Sequence, residues 1–119
     1  MKILLIIIPL ALIIFKLITS KADINAEETK ELLKNKTKII DVRSQAEYRH
    51  GHIKGSINIP LESITTGVKK YKISKDTSII LYCASGARSS SAKRFLKKDG
   101  FTSVYNGGSL HRMSKLQST

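Results

Sequence analysis

Cysteine occurs once in this 119-residue chain, at Cys83, and the residues around it, more than the thiol itself, point to chemistry. Ile79, Ile80, Leu81 and Tyr82 precede it as a short apolar run, the pattern of a buried strand covered on both faces. Cys83 is therefore expected at the carboxyl end of that strand, the edge of an open α/β sheet where ligands collect. Ala84, Ser85, Gly86 and Ala87 are small, and Gly86 tolerates backbone angles closed to most residues. These four can curl with their N–H groups inward, making a concavity that stabilises an anion. Arg88 adds a permanent positive charge, and Ser89 is expected to cap a helix that begins near Ser90 and carries Ala92, Lys93, Phe95 and Leu96. A helix start and a cation beside a thiol both favour the thiolate. An isolated cysteine after an apolar strand is usually an inert, small hydrophobe, and it is this run of neighbours that reverses the reading for Cys83.

Ring size narrows the ligand. Four residues separate Cys83 from Arg88, one fewer than in the phosphate-cradling loop of cysteine phosphatases. A shorter ring leaves less room for a phosphate above the sulfur, yet it accommodates a terminal sulfur attached to it. Sulfur transfer is favoured over phosphoryl transfer.

With these residues in view, the chain resembles the rhodanese (thiosulfate sulfurtransferase) family, in particular its small single-domain members. The likeness runs from about Ile24 to Arg112 and includes IIDVRSQAEYRHGHIKGSINIP (Ile39 to Pro60), YCASGARSSSAKRFLKKDGF (Tyr82 to Phe101) and YNGG (Tyr105 to Gly108). The resemblance implies that Cys83 forms a persulfide and that Ala84, Ser85, Gly86, Ala87 and Arg88 complete a six-residue active loop. It implies a small anionic sulfur donor such as thiosulfate, an acceptor that is cyanide, a thiol or a protein, and no cofactor. The alternative within the same fold is a non-enzymatic interaction domain or a persulfide relay serving one protein partner. One departure stands out: Arg112 occupies a position where the family often has an aromatic residue, commonly tryptophan.

Other polar residues read as support. Lys38 to Val42 resembles a second buried strand, after which Asp41, Arg43 and Glu47 are expected to form a charged network that holds the loop from behind. His50 and His52 flank Gly51 in a turn, while His111 is remote, so four ligands for a structural zinc are not assembled and no metal is expected. Gly51, Gly55 and Asn58-Ile59-Pro60 mark tight loop geometry. Neither GxGxxG nor GxxxxGK[ST] occurs, which argues against a nucleotide cofactor.

The elements that must position these residues fit one α/β domain over 23–119, with a mainly parallel central sheet flanked by helices. Helices are expected at Ala26 to Leu33 and Ile64 to Tyr71, and strands near Ile39, Ile57, Ile79 and Val104. Residues 1–22 read differently. Lys2 is followed by an apolar run from Ile3 to Phe15, 13 residues long, which suits a signal-peptide core better than the ~20 residues needed to span a bilayer. Ser20-Lys21-Ala22 offers a cleavage site after Ala22. If it is not used, Ile3 to Ile18 is a short anchor associating the protein with the membrane, with Lys16 reaching the interface. Both routes put the domain in the periplasm or otherwise outside the cytoplasm.

Charge is the remaining signal. The chain carries 21 basic and 9 acidic side chains, net +12, and loss of Lys2, Lys16 and Lys21 with the leader lowers this to +9. Such an excess attracts anionic substrates or a membrane surface. Without an aromatic stacking set or a reading module it does not indicate nucleic-acid binding.

Overall fold

Strand alternation explains how the core is divided. The structure, a computed structural model, describes residues 22–118; the expected leader, apart from Ala22, lies outside them. Four parallel strands, β1 (Lys38–Asp41), β2 (Ser56–Asn58), β3 (Ile79–Cys83) and β4 (Val104–Ser109), stand in the order β2-β1-β3-β4. The expected mainly parallel sheet is parallel at every pairing among the described residues. All five residues of β3 are buried. Ile79, Leu81 and Cys83 enter one core with Ile40, Val42, Ile59, Ile64, Val68, Ala92 and Leu96. Ile80 and Tyr82 point the other way, to Ile24, Ile39, Ile53 and Met113. A central strand buried on both sides needs apolar residues at every position, which is why its sequence runs apolar without a break.

Helices cover both faces. The helices α1 (Ala26–Lys34), α2 (Gln45–Arg49), α3 (Ile64–Lys70), α4 (Ala87–Lys98) and α5 (Leu110–Ser118) complete the described chain, with a single 3₁₀ turn over Leu61–Ser63. α1 begins where Asn25 accepts the Glu28 N–H at 2.8 Å and donates to its carboxylate at 2.7 Å, with Glu27 and Glu28 in the first turn, where acids favour a helix start. α1 and α3 agree with expectation to within a residue at the C-terminus. α2 and α5 are additional to the expected helices. α2 had a signal in Ser44-x-x-Glu47: the structure closes this as a capping box, with the Glu47 N–H on Ser44 Oγ at 3.2 Å and the Ser44 N–H on Glu47 Oε1 at 3.1 Å. No helix among the described residues is long and apolar enough to cross a membrane.

Strand β4 departs from regular pairing beside the site. Leu81 faces Asn106, but Tyr82 faces Gly108, so Gly107 is an extra residue in the ladder. A Cβ on Gly107 would lie 2.7 Å from both Ile80 Cγ2 and Met113 Sδ and 3.3 Å from the Leu81 carbonyl oxygen, so the bulge closes against α5 only with glycine. Nearby, Arg112 replaces aromatic packing with hydrogen bonds. Its guanidinium donates to the carbonyls of Gly107 (2.8 Å) and Ile24 (2.6 Å) and to Thr29 Oγ1 (3.2 Å), tying the bulge to the start of α1.

Candidate active site

Cys83 ends β3, and the chain turns immediately through Ala84, Ser85 and Gly86 into α4. Cys83 is 1% exposed, whereas Ala84, Ser85 and Ala87 are exposed, so the sulfur lies beneath a ring of small residues that open to solvent. Gly86 is the hinge of the ring. At φ 97° it adopts a left-handed conformation costly for any residue with a Cβ, and this turns its N–H onto Cys83 Sγ at 3.0 Å.

The helix begins earlier than the sequence suggests, and this changes the part played by Ser89. Gly86 is the N-cap and Ala87 the first helical residue, so Ser89 lies within the first turn and does not cap a helix starting at Ser90. Its buried hydroxyl is 3.6 Å from Cys83 Sγ, 3.0 Å from the Gly86 carbonyl oxygen and 2.7 Å from Asn106 Oδ1. Burial, the largest single influence on the Cys83 thiol, pushes its pKa up. The Ser89 hydroxyl and the N–H groups of Ser89, Ser85 and Gly86 together outweigh it and hold the thiol below its ordinary value. The site as folded favours a thiolate.

Asn106 joins this ring to β4. Its Nδ2 donates to the Gly86 carbonyl at 3.1 Å, and its Oδ1 accepts from Ser89 and, at 2.9 Å, from the Gly108 N–H. A buried amide that holds the Gly86 carbonyl away from the sulfur keeps the opposite, N–H side of that turn available to it. Asn106 falls inside the YNGG segment, where the resemblance assigns it no role. A polar residue in a strand that pairs with the wholly apolar β3 was the available signal.

The expected Asp41, Arg43 and Glu47 network divides into two pairs. Asp41, fully buried at the end of β1, accepts from the Arg43 backbone N–H at 2.9 Å, from Nε at 3.1 Å and from Nη2 at 2.7 Å. Arg43 Nη2 also donates to the Gly51 carbonyl at 2.6 Å, and Asn58 Nδ2 spans the carbonyls of Asp41 and Arg43 at 3.0 and 2.9 Å. Glu47 does not join them. It meets Arg88 instead, with Nη1 to Oε1 at 2.7 Å and Nη2 to Oε2 at 2.9 Å. The difference follows from α2: the capping box fixes Glu47 at a helix start facing the loop, whereas Arg43 is drawn inward to the buried Asp41. Arg88 first, and the Ser44 N–H second, lower the Glu47 carboxyl to about 2.

Of the three histidines, His52 has a defined local partner. His52 stacks on Tyr48 with ring centroids 3.7 Å apart, and its Nδ1 lies 2.8 Å from the Tyr48 carbonyl oxygen, which makes Nδ1 the donor. No group of three or more His, Cys, Asp or Glu side chains suited to a metal ion occurs among the described residues.

A family model described as a rhodanese-like domain matches residues 25–110. The thiosulfate sulfurtransferase PspE of Escherichia coli (strain K12) is 37% identical over 71 residues, covering 60% of this chain and 68% of that protein. The uncharacterized protein YqhL of Bacillus subtilis (strain 168) is 41% identical over 71 residues, covering 60% of this chain and 55% of its own length, so the match spans about half of that relative. The solved structure of a rhodanese with anions from E. coli aligns at a TM-score of 0.61 and 34% identity, covering 64% of this chain and 89% of that one.

Proposed function

The chain belongs to the rhodanese-like domain family, and on that premise we propose that it is a sulfurtransferase that carries sulfur as a Cys83 persulfide. The observation that supports this most directly is the set of donors converging on one buried sulfur: the Gly86 N–H at 3.0 Å, with the Ser89 hydroxyl at 3.6 Å, beneath an open ring of small residues. With thiosulfate, the Cys83 thiolate attacks the outer sulfane sulfur. The new S–S bond forms as the donor's S–S bond breaks, and sulfite leaves with that bond's electron pair. Cyanide or a thiolate then attacks the terminal sulfur, carries it off as thiocyanate or a persulfide, and restores the Cys83 thiolate. Neither half needs a proton removed by a side chain. The chain contributes covalent catalysis together with preorganised dipoles that stabilise charge on the sulfur in both states.

Mass spectrometry of the purified protein after thiosulfate treatment tests this reading. One added sulfur on Cys83, discharged by cyanide and missing from Cys83→Ala, is the expected result; an unmodified mass in a folded sample under persulfide-preserving conditions refutes it. A persulfide that forms but is discharged only by a protein favours the relay. The same proposal places the domain outside the cytoplasm, because Lys2 and the Ile3 to Phe15 run have the layout of an export signal. N-terminal sequencing of protein from the extracytoplasmic fraction should start at Asp23, or at Met1 if the segment is kept as an anchor. Full-length protein soluble in the cytoplasm defeats both.

A further inference from the structure

Arg88 is already engaged in the resting site. Both terminal nitrogens of its guanidinium donate to Glu47, one to each carboxylate oxygen, at 2.7 and 2.9 Å. Two parallel charge-assisted bonds make this the most directional pairing open to an arginine. Glu47 is held in turn by its reciprocal bonds with Ser44, so the carboxylate projects from a fixed helix start. With its carboxyl lowered to about 2, it stays ionised under ordinary conditions.

Arg43, the other arginine of the expected network, is likewise matched, by Asp41 at 2.7 Å. Both arginines are therefore matched by carboxylates, while Arg112, at the β4 bulge, spends its guanidinium on the carbonyls of Gly107 and Ile24, in a chain whose net charge is +12. The overall field draws anions toward the protein, but a donor bearing two negative charges meets a ring that offers it mainly dipoles. To gain Arg88 it must displace Glu47.

We propose that Glu47 sets donor specificity: by keeping Arg88 in a neutral pair it weakens the hold on dianionic donors such as thiosulfate and favours thiol persulfides. This rests on the reading of Cys83 as a sulfur carrier. With a persulfide R–S–S–H, the Cys83 thiolate attacks the terminal sulfur and the donor's S–S bond breaks. Its electron pair leaves on R–S⁻, and the proton stays on the transferred sulfur as Cys83–S–S–H. Atoms and charge balance without an oxidant.

Glu47→Gln isolates the effect, because glutamine at the third helical position still closes a capping box while the charge is lost. The first readout needs no turnover: calorimetric titration with sulfate in a Cys83→Ala background. Since pairs exposed to this degree are worth at most ~1 kcal/mol, sulfate affinity should rise by up to about fivefold. The second readout is the ratio of kcat/KM for thiosulfate to that for glutathione persulfide, which should rise by a similar factor through a lower KM for thiosulfate. Glu47→Asp, which keeps the charge, should return most of both changes. A purely structural role would depress both donors together and leave the ratio unmoved. Unchanged sulfate affinity in folded Glu47→Gln overturns the proposal whatever the turnover. Higher sulfate affinity with no sulfur loaded on Cys83 from either donor supports the hold on Arg88 and overturns the sulfur-transfer reading beneath it.

Discussion

Removing the Ser89 hydroxyl should raise the Cys83 pKa, and the geometry limits by how much. The hydroxyl has one hydrogen and three acceptors in reach: Asn106 Oδ1 at 2.7 Å, the Gly86 carbonyl at 3.0 Å and Cys83 Sγ at 3.6 Å. A hydrogen bond to a charged acceptor contributes ~1.5 to 3 kcal/mol, and the length of this one puts it at the lower end. Serving the sulfur means leaving Asn106, a neutral bond worth ~0.5 to 1 kcal/mol. The net preference for the thiolate is then ~0.5 to 1 kcal/mol, about a threefold shift in the thiol–thiolate equilibrium. In Ser89→Ala the thiolate fraction should fall about threefold at any pH well below both pKa values. Because Cys83 is the single cysteine, the rate of iodoacetamide alkylation against pH reports it without ambiguity. The linkage has a definite sign. A folded-state pKa held below the unfolded value contributes stability that is complete above the unfolded pKa and is lost as pH falls through the folded one. Ser89→Ala should therefore lose stability relative to the parent at alkaline pH and lose less of it in acid. Alanine suits the helix, and Asn106 Oδ1 keeps its bond from Gly108, so the fold should survive for the comparison. An unchanged or lowered Cys83 pKa in a folded Ser89→Ala protein would refute the role given to the hydroxyl.

Two further experiments test the frame around the loop. Gly107→Ala should cost ~1 to 3 kcal/mol, since its Cβ would meet Ile80, Met113 and the Leu81 carbonyl at once; a urea midpoint equal to the parent's would show that the bulge has more room than the structure gives it. Arg43→Met leaves the fully buried Asp41 without its cation and should cost ~3 to 5 kcal/mol by chemical denaturation, while adding Asp41→Asn should recover part of the loss. A loss under ~1 kcal/mol for the single variant would mean that Asp41 has another adequate source of charge compensation.

Local chemistry made part of this protein legible from its sequence. An unbroken Ile-Ile-Leu-Tyr run can only be a strand covered on both faces or part of a buried helix, and the small residues and glycine after it favour the strand, so β3 and the place of Cys83 at its end follow from composition alone. The same holds for α1 and α3, whose apolar spacing and end residues are short-range signals. Which polar groups meet was decided by tertiary structure. Glu47 lies four residues beyond Arg43 and forty-one before Arg88, yet it pairs with the distant arginine, because the capping box sets its direction and the buried Asp41 has already claimed the near one. Asn106 and Ser89 are seventeen residues apart and meet only because β4 pairs with β3, from whose end α4 springs. Periodicity and capping depend on neighbours within a turn or two, so a sequence displays them. The electrostatics of the sulfur depend on contacts closed across the sheet, and those exist only once the strands have paired.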